Sequence, residues 1–284
     1  MEYVTLSNGV KMPRLGYGVY QVSREECERC VGDALEVGYR LIDTAQSYMN
    51  EAEVGAAVAA SGIPRDEIFI TSKVWIDSYG YDKCMKSVEG SLKRLRTDHI
   101  DLMLLHQPFG DVYGAWRALE KLYGEGVLRA VGVSNFYPDR TVDIASFADV
   151  CPMVNQIEIH PHHAQDEAVR WNSKYGIVSE AWAPFGEGRG GMFELGELCR
   201  LGEKYSKSTA QIILRWHLQR GIVVIPKSVH RERMIENLDV FDFVLSDEDM
   251  NMISSLDTRK SSFFSHSDPA TVEFFAKIAG ERRN

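Results

Sequence analysis

Four side chains of this 284-residue sequence could, if brought together, deliver a proton to an oxygen: Asp43, Tyr48, Lys73 and His106. A tyrosine hydroxyl has an unperturbed pKa of about 10, so near neutral pH it needs help to release its proton. Lys73 is the candidate helper, because a nearby cation favours tyrosinate and is expected to lower the Tyr48 pKa. Asp43 would keep Lys73 charged and aimed. A neutral His106 could donate a second hydrogen bond to an alkoxide as it develops.

Asp43, Lys73 and His106 are far apart in the chain, yet each follows an apolar run, which is how the end of a buried strand reads, and Tyr48 comes five residues after Asp43. Leu41-Ile42 leads to Asp43, Ile68 to Thr71 leads to Lys73, and Leu102 to Leu105 leads to His106. The same pattern recurs where Val131 to Val133 meets Ser134-Asn135, Met153-Val154 meets Asn155-Gln156, and Val223 to Ile225 meets Lys227-Ser228. One polar strand end is an ordinary boundary. Six of them fit an architecture in which all strand ends converge on one face.

Strands are expected near Gly16, Arg40, Ile68, Ile100, Leu128, Met153, Ile177 and Ile222, separated by helical apolar spacing such as Met85, Val88, Leu92, Leu95. This alternation implies an α/β fold, a (β/α)8 TIM barrel. An N-terminal β-hairpin (Tyr3 to Leu6, Val10 to Met12) and extra helices near the C-terminus (Glu194 to Tyr205, Thr209 to Arg220, Ser246 to Leu256) complete it. Ser23 with Glu26 and Asn50 with Glu53 read as capping boxes, and Gly38, Gly62, Gly126, Gly176 and Gly221 as helix stops. An open doubly wound sheet would carry its dinucleotide loop after the first strand. Here Gly16-Tyr-Gly-Val-Tyr20 lacks a third glycine, and the glycine-dense run Gly186 to Gly191 follows the seventh strand instead. No linker divides the chain, so one domain over 1–284 is expected.

Lys and Arg contribute 32 positive charges against 41 from Asp and Glu, a formal net charge of −9, which disfavours nucleic acid as a partner. The first residues lack a signal-peptide pattern and no run reaches the roughly 18 apolar residues of a membrane span. With five cysteines and no secreted framework, a cytoplasmic protein is expected, without a membrane partner, as a monomer or weak oligomer. Cys27 and Cys30 share a helix face and are expected to be idle thiols.

At its strand ends the chain resembles the aldo-keto reductase superfamily. Arg40-Leu-Ile-Asp-Thr-Ala-Gln-Ser-Tyr48 with Asn50-Glu51, Thr71-Ser-Lys73-Val-Trp75 and Asp101-Leu-Met-Leu-Leu-His106-Gln-Pro108 carry the family's Asp, Tyr, Lys and His in register. Val131-Gly-Val-Ser134-Asn135-Phe136, Asn155-Gln156-Ile-Glu-Ile-His160-Pro161 and Ile225-Pro-Lys227-Ser228 through Arg233 to Glu236-Asn237 extend the likeness over nearly the whole chain. It is most similar to the bacterial 2,5-diketo-D-gluconate reductase-like branch, through its short loops, Ala-Trp-Ala-Pro-Phe-Gly-Glu-Gly and Phe263 to Pro269. The resemblance implies NADPH-dependent reduction of aldehydes, ketones or keto-sugars, with Tyr48 as proton donor and transfer of the pro-R hydrogen. It further implies that Ser134, Asn135 and Gln156 bind the nicotinamide carboxamide and that Trp182 stacks on its ring. Gly18 and Val19 would join the cofactor site, and Pro184, Phe185, Gly186 and Gly188 would lie over the pyrophosphate. Lys227, Ser228, Arg233, Glu236 and Asn237 would surround the adenosine ribose and its 2′-phosphate. Tyr20, Trp75, Gln107 and Phe109 are the expected substrate lining, Gln107 standing where the family often has tryptophan.

Two competing readings come from outside that chemistry. Glu158, His160, His162 and His163 have residue types that suit zinc or iron, as in a metal-dependent barrel hydrolase or isomerase. The family's own Glu-Ile-His-Pro stretch ends the sixth strand without catalytic metal, so none is expected. A nucleotide-sensing subunit would share fold and cofactor site, but has no need of an intact Asp43, Tyr48, Lys73, His106 set. Asp247, Glu248 and Asp249 are expected to be solvated first-turn acids of a helix capped by Ser246.

Overall fold

The computed structural model describes residues 1–281; residues 282–284, the end of the expected single domain, lie outside the described residues. The chain opens with a hairpin of β1 (Tyr3–Thr5) and β2 (Lys11–Pro13), paired antiparallel with Val4 opposite Met12. Then follow β3 (Tyr17–Gly18), α1 (Arg24–Val37), β4 (Leu41–Asp43), α2 (Glu51–Ala60), β5 (Phe69–Val74), α3 (Tyr81–Leu95) and β6 (Leu102–Leu105). The alternation continues through α4 (Val112–Gly124), β7 (Val131–Ser134), α5 (Pro138–Phe147), β8 (Val154–Glu158), α6 (Asp166–Lys174) and β9 (Val178–Trp182). It ends with α7 (Gly196–Tyr205), α8 (Thr209–Gln219), β10 (Val223–Val224), α9 (Arg231–Leu238), α10 (Asp247–Ser254) and α11 (Pro269–Glu281).

Strands β3 to β10 form one eight-stranded sheet in sequential order, every pair parallel. A parallel bridge from Leu15 to Val224, with Gly16 N–H donating to Val224 O (2.8 Å), closes first strand onto last. The result is the expected (β/α)8 barrel. Its strands read as unbroken apolar runs because both faces are covered, by helices outside and by the barrel's own side chains inside. Cys27, Cys30, Val31, Ala34 and Leu35 show the matching helical stripe on α1, all buried, and both cysteines are free thiols. The hairpin lies at the N-terminal face, where Asn8 donates to the carbonyl of Arg129 ahead of β7. It is therefore remote from the strand ends that matter for chemistry.

Two expected capping boxes do not form. The Ser23 side chain caps no backbone N–H and lies 3.4 Å from Glu26 instead. Asn50 caps nothing either, because its amide is drawn to the carbonyls of Val19 and Val22 and to Thr44. The complete box is at Ser208 and Gln211, ahead of α8. Ser246 does cap α10, but Asp249 is not solvated: it is buried against α7, accepting from Lys204 (2.7 Å), Ser246 and Tyr205. Helix α11 went unread in the sequence; its buried positions Thr271, Phe275 and Ala279 recur every fourth residue. No helix among the described residues is long and apolar enough to cross a membrane.

Helix α2 crosses the end of α3 at Gly55, where an added Cβ would meet the Leu95 backbone at 2.6 Å and Arg94 O at 2.7 Å. Gly55→Ala gains about 1 kcal/mol in helix propensity, but it must push two backbones apart, at about 1–3 kcal/mol or more. Urea denaturation should find the variant less stable; equal or greater stability would show that the crossing has slack.

Candidate active site

The parallel register aligns Asp43 on β4 with Thr71 on β5, and Lys73 lies two residues further along, on the same inward face. Lys73 Nζ donates to Asp43 Oδ1 (2.6 Å), to the Thr44 carbonyl (3.0 Å) and to Tyr48 OH (3.3 Å). Lys73 is 0% exposed and Asp43 2%. Tyr48 sits on a short 3-10 turn, Gln46–Tyr48, pinned from both sides. The Gln46 side chain accepts from Trp75 N–H and donates to Ser87 and Ser91, while Asn50 ties the following residues to the Val19 to Val22 loop. His106, at the end of β6, packs its ring edge-on to Tyr48 (5.7 Å) and to Trp75 (5.0 Å), with Ser47 Oγ 3.4 Å from Nδ1.

Burial pushes the Tyr48 hydroxyl up, Lys73 pulls it down, and Asp43 pushes it up again, leaving it at about 12. The net direction is opposite to that expected from Lys73 alone, because the loss of hydration outweighs one ammonium whose charge Asp43 already offsets. Tyr48 is therefore fully protonated at neutral pH. For Lys73, burial opposes the charge, but Asp43 and Tyr48 prevail and hold it above its ordinary value.

Beneath these four lies a group that sequence reasoning missed. Glu180 on β9 is fully buried and points into the barrel. One N–H of Gln156 goes to Asp43 Oδ2 (2.8 Å) and the other to Glu180 Oε2 (2.9 Å). Burial first, then the charge of Asp43, pushes the Glu180 carboxyl up to about 8. The two-residue alternation of Glu180 and Trp182 was a readable signal that both face inward.

Among the expected cofactor residues, Ser134, Asn135, Gln156 and Trp182 are joined by hydrogen bonds. Ser134 donates to Gln156 O (2.9 Å), and the Asn135 amide donates to His106 O (3.0 Å) and Ser134 Oγ (3.1 Å). Asn135 Oδ1 accepts from Trp182 Nε1 (2.8 Å), which fixes the indole edge. Gly18 and Val19 lie at the end of β3, Val19 N–H donating to Asp43 O (3.0 Å). An added Cβ on Gly18 would come 3.2 Å from Ile225 O, a tight approach that a larger residue could make only if the Ile225 backbone gave way slightly. Pro184 and Phe185 enter a loop in which Ala183, Gly186, Glu187, Gly188, Gly190 and Gly191 all have positive φ. Ser228, buried, follows β10; Glu236 and Asn237 lie at the end of α9. Lys227 and Arg233 are exposed cations with no ion pair among the described residues, whereas neighbouring Arg231 is committed to Asp33 and Glu36. Arg233 thus makes no surface pair with Glu232 or Glu236. Two uncommitted cations beside a buried serine are a donor set that suits a phosphate monoester.

Of the expected substrate lining, Tyr20 is exposed with its ring 5.0 Å from that of Tyr48, and Trp75 is buried against His106. Phe109 meets His266 (6.0 Å) and Phe275 (5.8 Å), so α11 supplies one wall of the mouth. Gln107 is buried rather than open, its main chain bound both ways by Tyr79 OH (2.7 and 3.0 Å). Glu158 is occupied by His160 (2.9 Å), Ser261 (2.6 Å) and Ser262 N–H (2.8 Å), which clasps the C-terminal loop. Among the described residues no group of three or more His, Cys, Asp or Glu could hold a metal ion.

The family described as Aldo/keto reductase family matches residues 6–258. Glyoxal reductase of Bacillus subtilis is 47% identical over 257 residues, covering 90% of this chain and 92% of that protein. Morphine 6-dehydrogenase of Pseudomonas putida is 44% identical over 269 residues, 90% and 91% of the two chains. Among solved structures, a Bombyx mori aldo-keto reductase in complex with NADP superposes with a TM-score of 0.88 at 31% identity, covering 96% of both chains.

The dry ion pair has a direct test. Asp43→Asn would leave the Lys73 ammonium buried without its counter-ion, which should destabilise the fold by about 3–5 kcal/mol in urea denaturation. A loss under about 1 kcal/mol would mean that water reaches Lys73 and the pair is not dry.

Proposed function

This chain belongs to the aldo/keto reductase family, and from that premise we propose that it is an NADPH-dependent enzyme reducing aldehydes, ketones or keto-sugars to alcohols. We assign the activity to one domain spanning 1–284. The observation that carries the reading is Lys73 Nζ lying within hydrogen-bond reach of both Asp43 and Tyr48 at the convergence of the strand ends. When bound, NADPH supplies the hydride. Ser134, Asn135 and Gln156 would hold its carboxamide, and Trp182, fixed by Asn135, would face its ring. Gly18, Val19 and the loop from Pro184 through Phe185 and Gly186 to Gly188 would border its middle. Lys227, Ser228, Arg233, Glu236 and Asn237 would surround the ribose and 2′-phosphate.

The substrate oxygen lies between Tyr48 and His106 in this reading. Tyr48 holds a proton at neutral pH and gives it to that oxygen as negative charge builds there. Lys73, charged through Asp43, then stabilises the tyrosinate that remains, which is where its lowering influence on Tyr48 acts. His106 donates a second hydrogen bond to the same oxygen. Tyr20, Trp75 and Phe109 give the mouth an aromatic wall suited to small carbonyls, and Gln107, buried behind them, shapes it from below.

Tyr48→Phe keeps the ring and removes the proton. Positioned acid catalysis contributes about 10² to 10⁴ in rate, so reduction measured by NADPH oxidation should fall by that order while NADPH still quenches protein fluorescence. Wild-type turnover by this variant would remove Tyr48 from the role.

Cofactor choice is the second outcome. A charge-assisted hydrogen bond to a 2′-phosphate contributes about 1.5–3 kcal/mol, so Arg233→Ala should weaken NADPH binding about 10- to 150-fold and NADH much less. Equal responses of the two cofactors in fluorescence titration would retire the 2′-phosphate assignment.

A further inference from the structure

Gln156 has two amide hydrogens, and both are consumed inside the barrel: one by Asp43 Oδ2 at 2.8 Å, the other by Glu180 Oε2 at 2.9 Å. The Asp43 carboxylate only accepts, so it demands nitrogen at that atom, and the nitrogen's second hydrogen is then held by Glu180 Oε2. Gln156 Oε1 is thereby turned the other way, with no hydrogen bond among the described residues and not among the buried unpartnered atoms. Asp43 alone would not fix the amide so firmly, since a single bond leaves rotation about the terminal torsion free. Glu180 is 0% exposed and its Oε1 has no partner among the described residues. An uncompensated carboxyl in such a place is costly, and the fold of the barrel does not call for it: β10 pairs Val223 and Val224 beside Glu180 and Ala181, all but Glu180 apolar.

We propose that Glu180 is a positioning residue of the reaction site, which locks the Gln156 amide with its oxygen toward the mouth and couples a second carboxyl to the Asp43, Lys73 and Tyr48 relay. The inference rests on the reductase reading above. The titratable and charged groups that reach Glu180 are Asp43 from β4 and Lys73 from β5; β8 contributes the neutral Gln156 and β10 only apolar side chains. At neutral pH and below, Glu180 carries a proton, so the cluster holds one cation against one anion. As pH rises and that proton leaves, a second negative charge joins Asp43 and makes Tyr48 hold its own proton more tightly. Reduction should therefore decline on the alkaline side before Tyr48 itself titrates.

Two variants and two readouts test this. In fluorescence titrations with NADPH, Glu180→Leu removes the acceptor and should weaken binding about 2- to 10-fold, the worth of one hydrogen bond. Glu180→Gln keeps the shape and an acceptor oxygen and should restore most of that affinity. In profiles of kcat/KM for glyoxal from about pH 6 to about 10, the alkaline decline of the wild type should move to higher pH in Glu180→Gln, which cannot ionise. Superimposable profiles, together with unchanged NADPH affinity in a folded Glu180→Leu, would overturn the proposal while leaving the reductase reading intact. A wild-type protein that neither binds NADPH nor reduces glyoxal or any other carbonyl would overturn both.

Discussion

The ion pair between Lys73 and Asp43 is the constraint around which the rest of the mouth is arranged. Two charges buried on neighbouring strands lose their hydration, and their mutual attraction compensates only when the remaining donors and acceptors are also satisfied. Lys73 therefore needs the Thr44 carbonyl and the Tyr48 hydroxyl as further acceptors, and Asp43 needs the Gln156 amide for its second oxygen. Gln156 in turn needs Glu180. The chain of requirements runs from β4 and β5 to β8 and β9 through the barrel interior, so strands on opposite sides of the closed sheet are coordinated by polar contacts rather than by packing alone. A rigid closed barrel is what allows distances of 2.6 to 3.0 Å to be held in that interior.

Outside this inner layer, two asparagines do comparable work for the loops. Asn50 fastens the turn carrying Tyr48 to the Val19 to Val22 segment, and Asn135 fastens Trp182 to the end of β6. Asn135 adopts φ +65, a left-handed conformation that asparagine tolerates better than most residues. Its side chain can then reach both the His106 carbonyl and the indole. The Glu158 cluster plays the same part for the C-terminal loop, and Arg189 joins that clasp by donating to Ser262 O (2.6 Å) and lying over Phe263 (4.1 Å).

The eight strands, the hairpin and the extra helices α7, α8 and α10 were legible because each is a buried apolar run or stripe bounded by polar or glycine punctuation. Asp43, Tyr48, Lys73 and His106 were legible because strand ends in a barrel must converge. What escaped the sequence depends on partners far away in the chain. Nothing local to Asn50 says that carbonyls at 19 and 22 will outbid its own helix, and nothing local to Asp249 says that α7 will cover it. Burial decided the sign for Tyr48, and a one-dimensional reading could weigh Lys73 but not the lost water. Glu180 was visible as a carboxylate in an apolar strand, yet its significance required knowing that Gln156 spends both hydrogens inside.

The chain is acidic overall, yet Lys227 and Arg233 are exposed cations without an ion pair among the described residues. A net charge of −9 opposes the approach of an anion, but charges beyond about 8 Å are largely screened at physiological ionic strength. In the proposed reading an anionic ligand would meet Lys227 and Arg233, which make no ion pair among the described residues, while Asp33 and Glu36 are paired with Arg29 and Arg231. If Arg231 did not occupy Asp33 and Glu36, those carboxylates would be free to compete for the cations that a phosphate needs. If a phosphate binds at this end of the mouth as proposed, selectivity there would be built from satisfied acids as well as from available bases.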